Sequence, residues 1–157
     1  MATIFLLGPS FLQSGPKALL KVRRELAAIF DLAGHRAFLM EDEADKKGED
    51  IVEKFYRLVS ENAVSDIVVY WPLGAKMQTT YDEFILLRAR MDVLKLPRIW
   101  VLHHSSVAMI RDGVFEVKEG GNRSRYLEAV ARLGVLPLQW DTDEALKEQA
   151  RLLAMEL

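Results

Sequence analysis

The chain has 157 residues, half of them hydrophobic, a formal net charge of −2 and no cysteine. That length and composition suit a single compact domain spanning residues 1–157 and exclude a disordered chain. The charge balance gives no nucleic-acid footprint, and the lack of cysteine excludes disulfides and thiolate-held metal or Fe–S sites. No apolar run approaches the ~20 residues of a membrane helix, and the apolar run that Met1-Ala2-Thr3-Ile4 enters is only four residues long with no basic region before it, unlike a signal peptide. A soluble, cytoplasmic protein without a membrane partner is expected.

Ile4-Phe5-Leu6-Leu7 is a continuous apolar run ending at Gly8-Pro9 and reads as a buried central strand. Pro16 suits a first helical position. Leu19, Val22, Leu26 and Phe30 recur at helical spacing until Gly34 stops the helix. Ala37 to Met40 is a second short strand, running into the charged stretch Glu41-Asp42-Glu43-Ala44-Asp45-Lys46-Lys47-Gly48. Ile51, Phe55, Leu58 and Val59 mark a second helix, and Ile67 to Trp71 a third strand. A third helix is expected from about Thr80, with Phe84, Leu87, Met91 and Leu94 on one face and Pro97 closing it. Ile99 to Leu102 is the fourth strand.

Val107 to Ile110 and Val114 to Val117 flank Arg111-Asp112-Gly113, which suggests a hairpin, with a short helix at the first run equally tenable. A fourth helix carries Tyr126, Val130 and Leu133. Val135 to Trp140 is the fifth strand. Asp141-Thr142-Asp143-Glu144 resembles a capping box, ahead of a last helix marked by Leu146, Ala150, Leu153 and Leu157.

This alternation predicts an α/β domain: a doubly wound, five-stranded parallel sheet of flavodoxin-like order 2-1-3-4-5, with helices on both faces. The expected strands lie near 3–8, 36–41, 66–71, 98–103 and 135–140. The switch point then falls between strands 1 and 3, and the loops after Leu7 and Trp71 flank the ligand crevice.

Several common α/β motifs are missing. There is no G-x-x-x-x-G-K-[ST] and no G-x-G-x-x-G after the first strand. Trp71-Pro72 stands where a receiver domain has an aspartate. The loop Gly8 to Gly15 has hydroxyls and glycines able to cradle a phosphate, but not the dense Ser/Thr pattern of a flavodoxin loop. His103 and His104 are adjacent on an extended segment, so their side chains point apart and do not share a metal.

Four features converge on one edge of the expected sheet: Gly8-Pro9-Ser10, the acids Glu41, Asp42, Glu43 and Asp45, the Trp71-Pro72-Leu73-Gly74 turn, and Asp82-Glu83 at a helix start. The dipole at a helix N-terminus favours a charged carboxylate. Such a group serves as nucleophile or cation stabiliser where an N-glycosidic bond breaks through an oxocarbenium-like state, by analogy with glycoside hydrolysis. No metal or bound cofactor is needed for that chemistry.

The same residues resemble a known family. Ile4-Phe5-Leu6-Leu7-Gly8-Pro9 is similar to the "FLAGP" opening of nucleoside 2-deoxyribosyltransferases and related deoxynucleotide N-hydrolases. Ser65-Asp66-Ile67-Val68-Val69 is similar to their "ADIVVA" strand, and Thr80-Tyr81-Asp82-Glu83 to their "GT-x-x-E" segment, whose glutamate is the nucleophile. TIR domains, some of which cleave NAD, share the helix-start glutamate, and Gly48-Glu49-Asp50-Ile51 is also TIR-like.

The resemblance implies a nucleoside, nucleotide or NAD-like ligand and cleavage or transfer at its N-glycosidic bond. Glu83 and Asp82 are the catalytic candidates, and Gly8, Pro9, Ser10, Asp42, Trp71 and Tyr81 the ligand contacts. It also implies a homodimer. Thr79 and Ile85 stand where the family has glycines, and Leu73 to Lys76 where it has an acid. Those replacements support a second reading, a non-catalytic nucleotide sensor or a TIR-like interaction module.

Blander roles stay open for the same residues. Asp82 and Glu83 suit simple helix initiation, the 41–45 acids a solvated loop, and Tyr70 and Trp71 a core or dimer interface. Gly120 to Arg125 suits a plain turn as well as a phosphate cradle.

Overall fold

The structure, a computed structural model, describes residues 1–8, 16–72, 97–104, 108–111, 114–117 and 136–157. Its elements in chain order are β1 (Thr3–Leu7), α1 (Pro16–Leu32), β2 (Arg36–Leu39), α2 (Ile51–Glu61), β3 (Asp66–Trp71), β4 (Arg98–His104), β5 (Ala108–Arg111), β6 (Val114–Val117), β7 (Leu136–Trp140) and α3 (Asp143–Glu156). Five strands form one sheet in the order β2-β1-β3-β4-β7, and every neighbouring pair is parallel. This is the expected flavodoxin-like order. β5 and β6 pair antiparallel as a separate ribbon, Arg111 opposite Val114, so the hairpin alternative describes this segment. The expected helices near 80–94 and 126–133 lie outside the described residues.

Strand alternation sorts the apolar residues onto two faces. Ile4, Leu6, Leu39, Val68, Tyr70, Trp100 and Leu102 pack with Leu19, Leu26 and Phe30 of α1 and Leu146, Ala150 and Leu153 of α3. On the opposite face Phe5 stacks on Phe38 at 4.8 Å and on Phe55 of α2 at 5.5 Å. Helices therefore cover both faces. Each fully buried large apolar side chain contributes roughly 1.5–3 kcal/mol, and Phe5, Phe30, Phe55 and Trp71 are all fully buried. Pro137, which has no N–H to give a ladder, lies in β7, an edge strand where that loss is tolerated.

The helix ends follow local chemistry. Gly34 stops α1 at φ +87, with Gly34 N–H donating to the Asp31 carbonyl and His35 N–H to that of Phe30. Asp50 and Glu53 form a reciprocal capping box at the start of α2. At α3 the cap is Thr142, whose Oγ1 accepts from Ala145 N–H at 3.1 Å; the cap therefore sits one residue after Asp141, and Ala145 cannot return the bond that the expected box requires. β2 is shorter than expected. The chain turns into a 3-10 segment at Met40–Asp42, which swings two carboxylates toward α1. Among the described residues no helix is long and apolar enough to cross a membrane.

Candidate functional site

β1 lies between β2 and β3, and the chain leaves β1 and β3 in the same direction. In parallel α/β sheets the crevice outside the carboxyl ends at such a switch point is where ligands bind. Here Gly8 ends β1 beside Tyr70 and Trp71 of β3. A Cβ on Gly8 would stand 2.7 Å from Arg23 Cδ, 3.2 Å from Arg23 Nε and 3.3 Å from the Tyr70 carbonyl oxygen. Only glycine lets the arginine side chain lie across this strand end.

Arg23 projects from α1 and is 2% exposed. Its Nη1 donates to Glu41 Oε2 at 3.1 Å, and its Nη2 pairs with Glu41 Oε1. The carboxylate thus takes both ends of the guanidinium fork, the strong geometry for this pair. Arg23 Nε is buried and has no hydrogen-bond acceptor among the described residues. The next residues repeat the pairing on the surface, Arg24 Nη2 meeting Asp42 Oδ1 at 2.5 Å. Asp42, a candidate ligand contact, is therefore engaged by Arg24 and is partly exposed.

The rest of the acidic stretch is pinned to α2. Lys54 Nζ, on a largely buried side chain, bonds the Glu43 carbonyl and Asp45 Oδ1, both at 2.6 Å. Arg57 bonds Glu49 Oε1 at 2.6 Å and the Ala44 carbonyl at 3.0 Å. The Arg57 hydrogen bond is the main cause that holds the Glu49 carboxyl down at about 2, helped by the Lys46 N–H and the two positive charges against the opposing effect of burial. The loop is solvent-exposed, the Asp45 side chain at 83%, and it is also anchored. It is a turn clasped from both sides by bases on two helices.

The aromatic residues at this end are core residues. Trp71 is 0% exposed, on the α2 face of the sheet. Tyr70 is 4% exposed on the other face and stacks on Trp140 at 5.9 Å. Burial, and next the charge of Asp143, push the Tyr70 hydroxyl up to about 12, with Arg23 opposing. His103 stands beside Trp71 in the parallel register and is 3% exposed. Burial lowers its pKa and so favours the neutral ring. Its Nδ1–H donates to the His104 carbonyl at 3.3 Å. His104 turns to the opposite face, edge-on to Trp140 at 4.8 Å. The two rings do diverge, and among the described residues no group of side chains has the makings of a metal site.

Of the sequence candidates, Gly8 and Trp71 are brought to neighbouring strand ends, while Asp42 sits beyond β2 with Arg24. Pro9, Ser10, Tyr81, Asp82 and Glu83, and the 120–125 turn, lie outside the described residues. An open depression of about 690 Å3, lined by Leu20, Lys21, Arg24, Glu25 and Ala28, lies on the exposed side of α1. Sequence reasoning named Glu41 among the converging acids but passed over its partner Arg23. The signal was present: Arg23 interrupts the apolar stripe of α1, four residues after Leu19 and three before Leu26.

No protein-family model matches the chain, and no curated protein matches it in sequence. Solved structures do share the fold. A conserved protein from Enterococcus faecalis V583 superposes with a TM-score of 0.53 at 14% identity, covering 98% of this chain and 99% of that one. RosB, solved with bound 8-demethyl-8-formylriboflavin-5'-phosphate, gives a TM-score of 0.54 at 12% identity, covering 99% of this chain and 77% of RosB. At these identities the likeness is one of fold.

Proposed function

We propose that the domain binds a nucleoside phosphate or close relative across the carboxyl ends of β1 and β3 and cleaves or transfers at its N-glycosidic bond. One observation carries this reading. β1 and β3 are parallel neighbours, so the segments that follow Gly8 and Trp71 start from adjacent strand ends. In the proposed reaction the Glu83 carboxylate attacks the anomeric carbon and the C–N bond breaks, its electron pair passing to the base. The base takes a proton from solvent. Water, or a second base in a transfer, then releases the sugar from the carboxylate. A cytoplasmic location and a homodimer belong to the same proposal, the latter open to sedimentation analysis.

The test is base release from nucleosides, deoxynucleotides and NAD, followed by chromatography. Glu83→Gln keeps the side-chain shape and removes the attacking charge. It should cost roughly 10³-fold or more in rate while leaving ligand binding largely intact. An unchanged rate in Glu83→Gln removes that residue from the mechanism.

A second reading is binding without turnover, as a sensor or interaction module. The flavin phosphate in RosB supports adding riboflavin-5'-phosphate to the panel. Saturable binding of that compound, with no base released from any substrate, favours the second reading.

A further inference from the structure

We propose that Arg23 is a phosphate-recognising residue and that Glu41 orients it. The inference deepens the proposed function by naming the group that meets the ligand's phosphate, and it rests on that reading only for the identity of the rest of the ligand. Three observations converge on Arg23. It is a buried guanidinium at the carboxyl end of the sheet, held by a carboxylate whose side chain is 30% exposed, so the desolvation of the arginine is only partly offset by its partner.

The fork is filled by one carboxylate, which fixes the plane of the guanidinium. Of the three N–H groups that Glu41 does not take, the one on Nε sits on a buried nitrogen without an acceptor among the described residues, although buried polar groups in native folds are almost always paired. Gly8 supplies the room, because its missing Cβ is what lets Arg23 Cδ and Nε lie over the end of β1.

Phosphate is the anion that fits this arrangement. Its tetrahedral oxygens accept hydrogen bonds from several directions at once, so one oxygen takes the Nε–H while the others remain for donors elsewhere in the crevice. Glu41 keeps the pair near neutral, so the site holds an anion by directed hydrogen bonding more than by net charge. The two partners therefore differ in a way that a purely structural ion pair does not. Removing the directed donor weakens phosphate binding, and removing the carboxylate charge strengthens it.

The experiment is a titration with inorganic phosphate alone, at constant ionic strength balanced with chloride, read by thermal shift and by phosphorus NMR line broadening. Wild type should show a saturable response. Arg23→Lys keeps a positive charge and loses the fork and the Nε–H, and should weaken apparent phosphate affinity about tenfold or more. Glu41→Gln keeps an acceptor oxygen and drops the like charge, and should bind phosphate more tightly than wild type. Circular dichroism identifies any variant that fails to fold. Arg23→Met then serves as an isosteric replacement free of buried charge, with the same expected loss.

No saturable response in wild type, equal affinity in wild type and Arg23→Lys, or equal weakening in both Arg23→Lys and Glu41→Gln would overturn the proposal. Parallel titrations with adenosine and riboflavin separate this outcome from the fate of the functional reading. Wild type that binds those unphosphorylated compounds but not phosphate contradicts Arg23 and spares the crevice. A phosphate response lost in Arg23→Lys supports Arg23 even if no nucleoside or flavin binds.

Discussion

Among the described residues Asp66 is buried at the amino end of the sheet and Arg23 at the carboxyl end, and they are satisfied to different degrees. At the amino end Asp66 is 0% exposed. It is met by Ser65 Oγ at 2.8 Å, Arg98 Nε at 2.9 Å and Trp100 Nε1 at 3.0 Å. Ser65 Oγ in turn accepts Thr3 N–H at 3.0 Å, so the network ties β1, β3 and β4 together where the strands begin.

At the carboxyl end Arg23 has its fork filled, while its Nε has no acceptor among the described residues. A buried charge is thus no functional signal in itself. Asp66 is saturated by protein groups and acts as a fastener. Arg23 is incompletely satisfied, and it lies at the end where doubly wound folds bind ligands.

Substitutions at the two ends should fail differently. Asp66→Ala should lower stability most, by about 2–3 kcal/mol, because Trp100 Nε1 and Ser65 lose a buried partner while the half-exposed Arg98 returns to water. Urea denaturation checks this, and ligand affinity per folded molecule should be unchanged. Loss of affinity without loss of stability would break the division of labour.

Gly8→Ala should do the reverse. Its Cβ would displace Arg23, weakening binding of a phosphorylated ligand about tenfold at a stability cost of about 1 kcal/mol. Normal affinity in that variant would show that Arg23 has room to move.

The smallest effect belongs to the clasp around residues 41–50. The Glu49 carboxyl is held at about 2, below its ordinary 4.5. Its stabilising contribution is therefore complete above pH 4.5 and is lost as pH falls through about 2. Glu49→Gln should melt only about a few degrees below wild type at neutral pH. That gap should close as the pH is lowered across the same interval. A gap independent of pH would mean that the clasp owes little to charge.

The fold was legible where apolar runs are continuous. Ile4–Leu7 and Ile67–Trp71 are buried on both faces, so no competing pattern obscured their strands. Gly34 ends α1 because the turn needs a positive φ, a demand one residue states by itself. Two local features were misread by small margins. β2 stops at Leu39 because Glu41 and Asp42 turn toward arginines eighteen residues back, a tertiary pull that propensity does not carry. α3 is capped by Thr142, since the threonine hydroxyl reaches the Ala145 N–H.

Of the candidate site, the strand-end geometry was legible: that Gly8 and Trp71 stand at neighbouring strand ends follows from strand order alone. Arg23 was visible as a charge in an apolar stripe, but its meaning needed Glu41 and Gly8, which only the fold brings to it. Asp66 was named only as part of Ser65-Asp66-Ile67-Val68-Val69, because its partners Arg98 and Trp100 lie more than thirty residues on.

The chain's three tryptophans offer the most direct test of the claim that the carboxyl end at β1 and β3 is the binding end. Trp71 ends β3 at the carboxyl edge, whereas the Trp100 indole reaches back to Asp66 at the amino edge. Two-dimensional nitrogen–proton NMR resolves the indole N–H signals during titration with a nucleoside 5'-monophosphate or riboflavin-5'-phosphate. The account predicts saturable shifts for the Trp71 indole and the Gly8 amide, with the Trp100 indole and Asp66 amide unmoved. Shifts at Trp100 and Asp66 with Trp71 and Gly8 still would contradict it.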